Sequence, residues 1–249
     1  VEPGFAMYRL IAAFSGLNYV GVALNADDYS LDMDSLLDAI DEHQPALLFL
    51  AYPNNPTGNL FAASDVEQVI AAAPGLVIID EAYAPFTDAS FVPRIGEFEN
   101  MVVMRTLSKM GLAGLRLGLL AGPQAWIREI DKTRLPYNIN VLTQVSAGFS
   151  LSNKALFDRQ TETIRLDRLR LFNQLRQIGG VAPFWSEANF ILLRTPEDTA
   201  PSLFEGMKQR GVLVKNLHGS HPLLHDCLRV TIGAEAENRR FIDALKMLL

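Results

Sequence analysis

The chain has 249 residues, 49% of them hydrophobic, and a formal net charge of −6. That length can bury a large core in one domain or one and a half, and the acidic balance argues against nucleic acid or an anionic membrane as partner. A single cysteine, Cys227, excludes an internal disulfide and fits a reducing compartment. No run of 18 apolar residues and no signal-peptide pattern is present, so the expectation is a soluble, cytoplasmic protein.

Residues 3–16 carry Met7, Leu10, Ile11 and Phe14 at helical spacing and close on Gly16, which predicts a short helix. Residues 19–24 read as a strand. Asp32 stands where it can cap a helix whose apolar positions are Met33, Leu36, Leu37 and Ile40. Residues 46–52 read as a buried strand, followed by the stiff turn-forming loop Pro53-Asn-Asn-Pro-Thr-Gly58. Ser64-Asp-Val-Glu67 has the form of a capping box opening a helix to Ala73. Leu76 to Ile79 is an apolar strand that ends in Asp80-Glu-Ala-Tyr83. An apolar strand closing on two carboxylates also marks the magnesium site of P-loop ATPases. That reading needs a Gly-x-x-x-x-Gly-Lys-Ser/Thr loop, and the sequence has none.

The next strand, Met101 to Leu107, leads into Ser-Lys-Met-Gly-Leu-Ala-Gly-Leu-Arg, after which residues 117–121 resume as a strand. Strands alternating with helices of this length indicate a mostly parallel sheet covered on both faces, an α/β fold that binds ligands beyond the carboxyl ends of its strands. Lys109 at the mouth of such a sheet, with Thr106, Ser108 and Arg116 around it, suits an amine that condenses with an aldehyde beside a bound phosphate. Gly111 and Gly114 let the backbone turn tightly between them. The alternative is a solvated loop whose Lys109 and Arg116 merely face water.

A helix is expected over residues 123–133 and a loop over 135–140. Residues 153–178 form a long helix, with Phe157, Ile164, Leu171 and Ile178 in heptad spacing and polar residues elsewhere, which reads as a helix bridging two domains. Beyond Gly179-Gly180 a smaller α/β unit is expected, with strands at 188–193, 211–215 and 227–232 and helices at 199–210 and 235–248. The expected organisation is therefore a large domain over 1–152, the bridge over 153–178 and a small domain over 179–249. In the last strand, alternation puts Leu228 and Val230 on one face and Arg229 on the other. His218, His221 and His225 lie in a loop without helical spacing or a nearby carboxylate pair, so no metal is expected.

Asn-Asn-Pro-Thr-Gly, Asp-Glu-Ala-Tyr and Thr-Leu-Ser-Lys…Ala-Gly-Leu-Arg, in this order, resemble the fold-type I pyridoxal-phosphate aminotransferases, and within them the histidinol-phosphate aminotransferases. The resemblance implies pyridoxal 5′-phosphate as cofactor, with Lys109 carrying its aldehyde, Asp80 pairing with its pyridine nitrogen, and Asn55 and Tyr83 on its phenolic oxygen. It further implies Phe5 stacked on the ring, and Thr106, Ser108 and Arg116 on the phosphate. Arg229 matches the clamp for a substrate α-carboxylate. Lys215 stands where the family carries an arginine for the substrate phosphate; it keeps the charge and loses the bidentate fork. The implied reaction is amino transfer between an amino-phosphate, L-histidinol phosphate, and 2-oxoglutarate. A homodimer is implied as well, with Tyr137 and Asn138 as possible partner contacts. Related decarboxylases and aromatic aminotransferases share the scaffold. The likeness begins inside the family's large domain, so roughly a hundred residues of a usual member, including a phosphate-cradling loop, are expected to be missing. An inert, truncated chain is the remaining alternative.

Overall fold

The computed structural model describes residues Val1–Leu249. The chain divides into two compact units, one made of Val1–Ser30, Asn54–Leu60 and Glu162–Leu249, the other of Leu31–Pro53 and Phe61–Thr161. No helix is long and apolar enough to cross a membrane.

The second of these units is built on a sheet of β1 (Leu47–Ala51), β2 (Leu76–Asp80), β3 (Met101–Thr106) and β4 (Gly118–Ala121), in that spatial order. β1, β2 and β3 are parallel, and β4 runs antiparallel to β3. Every residue of β2 is buried, which explains its uninterrupted Leu-Val-Ile-Ile run. Leu76, Ile78 and Val102 form a cluster with Phe49, Met104 and Leu120 packed against it, and each fully buried side chain of this size contributes about 1.5–3 kcal/mol. The helices of this unit begin with α1 (Met33–His43) and α2 (Ala63–Ala72), and continue with α3 (Gln124–Asp131) and α4 (Val141–Ser152). Asp32 caps the first of them, accepting from the Ser35 N–H at 3.2 Å. Ser64 caps nothing: the helix already starts at Ala63, and its N-cap, Ala62, makes no side-chain bond. Glu67 pairs with Arg94 instead.

The other unit opens with α5, the short helix Met7–Phe14, which ends just before Gly16 at φ 66°. The strand expected over 19–24 reduces to one parallel bridge between Ala23 and Glu2. The long helix α6 (Lys154–Leu175) ends before Ile178, and the boundary between the units falls within it, at Thr161/Glu162. An antiparallel sheet follows in the order β5 (Ala182–Pro183), β6 (Phe190–Arg194), β8 (Cys227–Thr231), β7 (Lys215–Asn216). The strand expected over 211–215 is thus shorter and displaced, since Gly211 adopts φ 72° and belongs to the turn after the preceding helix. Helices α7 (Ala200–Gln209) and α8 (Glu235–Leu248) cover this sheet. Leu171, Leu175, Ile191, Leu203, Leu228 and Phe241 belong to one buried cluster between them.

Candidate active site

Parallel strands aim their carboxyl ends at one edge, and the chemistry-bearing residues of the larger sheet lie there. Asp80 ends β2, is 7% exposed, and accepts from the Ala82 N–H at 3.0 Å. Glu81, the next residue, has a fully buried side chain. It accepts from Arg105 Nη2 at 2.6 Å, Arg105 Nε at 2.9 Å, the Ser90 hydroxyl at 3.0 Å and the Phe91 N–H at 2.5 Å. The backbone N–H of Glu81 also donates to Met104 at 2.8 Å. These bonds clamp the end of β2 to the end of β3, fixing the strand positions of Asp80 and Thr106. Sequence reading passed over this pair; its signal was a charged Arg105 in an otherwise apolar strand.

Thr106 Oγ1 donates to Ser108 Oγ at 2.8 Å and accepts from the Ser108 N–H at 3.0 Å. The Leu107 N–H donates to the Leu117 carbonyl at 3.2 Å, closing the base of the loop that carries the lysine. Gly111 takes φ 84° within that loop. Arg116 takes φ 50°, a left-handed backbone that costs on the order of 1 kcal/mol in a side-chain-bearing residue and is retained where surroundings enforce it. Its guanidinium is exposed and reaches the Ala113 carbonyl only at 3.5 Å, so its other N–H groups are available to an anion. Lys109 Nζ lies 5.1 Å from the centroid of the buried Tyr83 ring, a cation–π distance. The structure thus brings Lys109 to Tyr83, and Thr106 to Ser108. The Thr143 hydroxyl of α4 donates to the Leu115 carbonyl at 3.3 Å, bracing the loop from outside.

The other unit holds Phe5, Asn55, Lys215 and Arg229. Phe5 is 40% exposed and meets Tyr8 edge-on at 5.5 Å. Arg229 Nη1 donates to Asn55 Oδ1 at 2.5 Å, and its guanidinium lies 4.6 Å from the Phe190 centroid. Lys215 and Arg229 are register partners in the antiparallel β7–β8 pair. Directly opposed residues project from the same face, so two cations stand side by side. Leu228 and Val230, flanking Arg229, are both buried. Tyr137 lies in the 135–140 loop and is 98% exposed.

The family described as aminotransferase class I and II matches residues 1–245. The chain is 54% identical over 245 residues to "Histidinol-phosphate aminotransferase 2" of Nitrosococcus oceani, covering 98% of this chain and 68% of that relative. The histidinol-phosphate aminotransferase structure from Clostridium acetobutylicum superposes with a TM-score of 0.91 at 25% identity, over 98% of this chain and 75% of that one. The histidinol-phosphate aminotransferase from Sinorhizobium meliloti, solved in complex with pyridoxal-5′-phosphate, gives a TM-score of 0.87 at 26% identity, over 98% and 68%.

Proposed function

The chain belongs to the class I and II aminotransferases, and on that footing we propose that it moves the amino group of L-histidinol phosphate to 2-oxoglutarate, giving imidazole-acetol phosphate and L-glutamate in histidine biosynthesis.

The donor set fits pyridoxal phosphate. An amine, a buried carboxylate, paired hydroxyls and a guanidinium with available N–H groups all follow the carboxyl ends of β2 and β3. We assign Lys109 to the cofactor aldehyde, Asp80 to its pyridine nitrogen and Tyr83 to its phenolic oxygen, with Thr106, Ser108 and Arg116 on its phosphate. The roles of Asn55 and Phe5 toward the cofactor rest on the resemblance of their strings. When bound, the cofactor supplies an electron sink for charge left at the substrate Cα. The Lys109 amine, once displaced by the substrate amine, would take the proton from Cα and deliver it to the carbon of the cofactor's aldehyde group, as general base and then general acid. The Asp80 carboxylate keeps a proton on the ring nitrogen by accepting its hydrogen bond. Arg116 holds phosphate by a planar fork that a lysine lacks.

The observation that carries the substrate reading is the opposed pair Lys215 and Arg229. Like charges directly opposite repel, and an anion between them turns that repulsion into binding. We assign Arg229 to the substrate carboxylate and Lys215 to the substrate phosphate. A homodimer is part of the proposal, supported by the resemblance and by Val141, Leu142, Val145 and Phe149 of α4, each at least 66% exposed. A cytoplasmic setting accords with the one free, buried cysteine, Cys227.

The test is product analysis with L-histidinol phosphate, 2-oxoglutarate and added cofactor. Equal amounts of glutamate and imidazole-acetol phosphate are expected. In parallel reactions, carbon dioxide released from a phosphorylated amino acid without amino transfer, or faster transfer from an aromatic amino acid, would replace this assignment.

A further inference from the structure

Between β7 and β8 the chain makes a loop, and three of its side chains converge on one point. His218 Nδ1 lies 3.2 Å from Asp226 Oδ1, and His225 Nδ1 lies 3.0 Å from Asp226 Oδ2. The donor atoms of the three residues all lie within 4.8 Å of one another. We propose that His218, His225 and Asp226 form a binding site for a divalent transition metal of the zinc class.

The donor chemistry is that of such ions: two imidazoles and a carboxylate, with a remaining position for water. Ligands at about 2.0–2.1 Å from a metal, separated by an angle between square and tetrahedral, stand about 2.9–3.4 Å apart. The two histidine–aspartate separations fall in that interval. The two histidine donors lie within 4.8 Å of each other, and His225, whose side chain is 58% exposed, has room to swing inward.

Hydrogen bonding within the protein accounts for the His225 contact, where Nδ1–H can donate to Asp226 Oδ2, but not for the His218 contact with the same carboxylate. The Asp226 carboxylate is 4% exposed and already accepts from the Asp198 N–H at 2.8 Å and the Ala200 N–H at 3.4 Å. His218 Nδ1 accepts from the Asp226 N–H at 3.2 Å, which leaves its lone pair, not a proton, facing the carboxylate. Electron-rich atoms gathered this way are stabilised by a cation among them, which would take the lone pair from that long hydrogen bond. The bound ion would close the loop on itself and hold Lys215 and Arg229 in register across β7 and β8. This site requires nothing about the reaction the chain catalyses.

The experiment uses the full chain without a histidine tag, stripped with a chelator and titrated with Zn²⁺ by calorimetry, with Co²⁺ absorption as a second reading. One ion per chain is expected, with a dissociation constant tighter than about 100 μM and a rise in melting temperature. His225→Ala should weaken binding by about tenfold or more with an unchanged circular-dichroism spectrum, while His43→Ala and His221→Ala leave it intact. Binding weaker than that limit, or binding that survives His225→Ala, overturns the proposal.

Discussion

Arg229 shows how much a single side chain reveals and conceals. Its alternation with Leu228 and Val230 is visible in the sequence, and so is its match to a carboxylate clamp. Its neighbours are not, because Asn55 is 174 positions away and Lys215 comes opposite only through strand register. The guanidinium gives one N–H to Asn55 Oδ1 and lies over the Phe190 ring. Replacing it by lysine keeps the charge and removes the fork. Arg229→Lys should raise KM for 2-oxoglutarate, which carries the carboxylate, by about 10–100-fold, the equivalent of about one charge-assisted hydrogen bond, with a smaller change in kcat and in KM for L-histidinol phosphate, which has no carboxylate. Steady-state kinetics decides; an unchanged KM would remove Arg229 from the substrate.

Elements were legible where their side chains face a core. β2 and α8 follow the sequence reading closely because burial imposes an apolar run on one and a helical stripe on the other. α4 escaped notice: Thr143, Ser146, Gly148 and Ser150 are weak helix formers, and its large apolar residues are exposed. It forms from an Asn140 cap, whose side chain accepts from the Thr143 N–H at 2.9 Å. The clamp between β2 and β3 escaped for another reason, since Glu81 and Arg105 meet only once the strands pair. Arg105→Met would leave a buried carboxylate without its cation and should destabilise the fold by about 3 kcal/mol, read as a lower urea midpoint. A loss below about 1 kcal/mol would show that Ser90 and the Phe91 N–H suffice. The cap of α1 makes a pH prediction. The Ser35 hydroxyl and N–H hold the Asp32 carboxyl below its ordinary range. Its stabilising contribution is therefore full above the unfolded value of about 3.9 and is lost as the pH falls through the depressed folded value. Thermal melts of Asp32→Ala should fall below the parent at pH 7 and converge with it in stronger acid. A gap that stays constant across that range would contradict the cap.

At the scale of the molecule, the parallel sheet could be read from the order of apolar runs. The unit boundary could not, because Val1–Ser30 and Asn54–Leu60 cluster with the C-terminal residues, and no local signal marks such a long-range grouping. What the whole chain is organised to do rests on Lys109, whose loop is closed at its base by the Leu107–Leu117 bond and braced by α4. The most direct measurement is borohydride reduction of the chain with excess pyridoxal phosphate, followed by peptide mass mapping. The cofactor mass should appear on the peptide containing Lys109 and vanish in Lys109→Ala. A label spread over other lysines, or no label at all, would contradict the account.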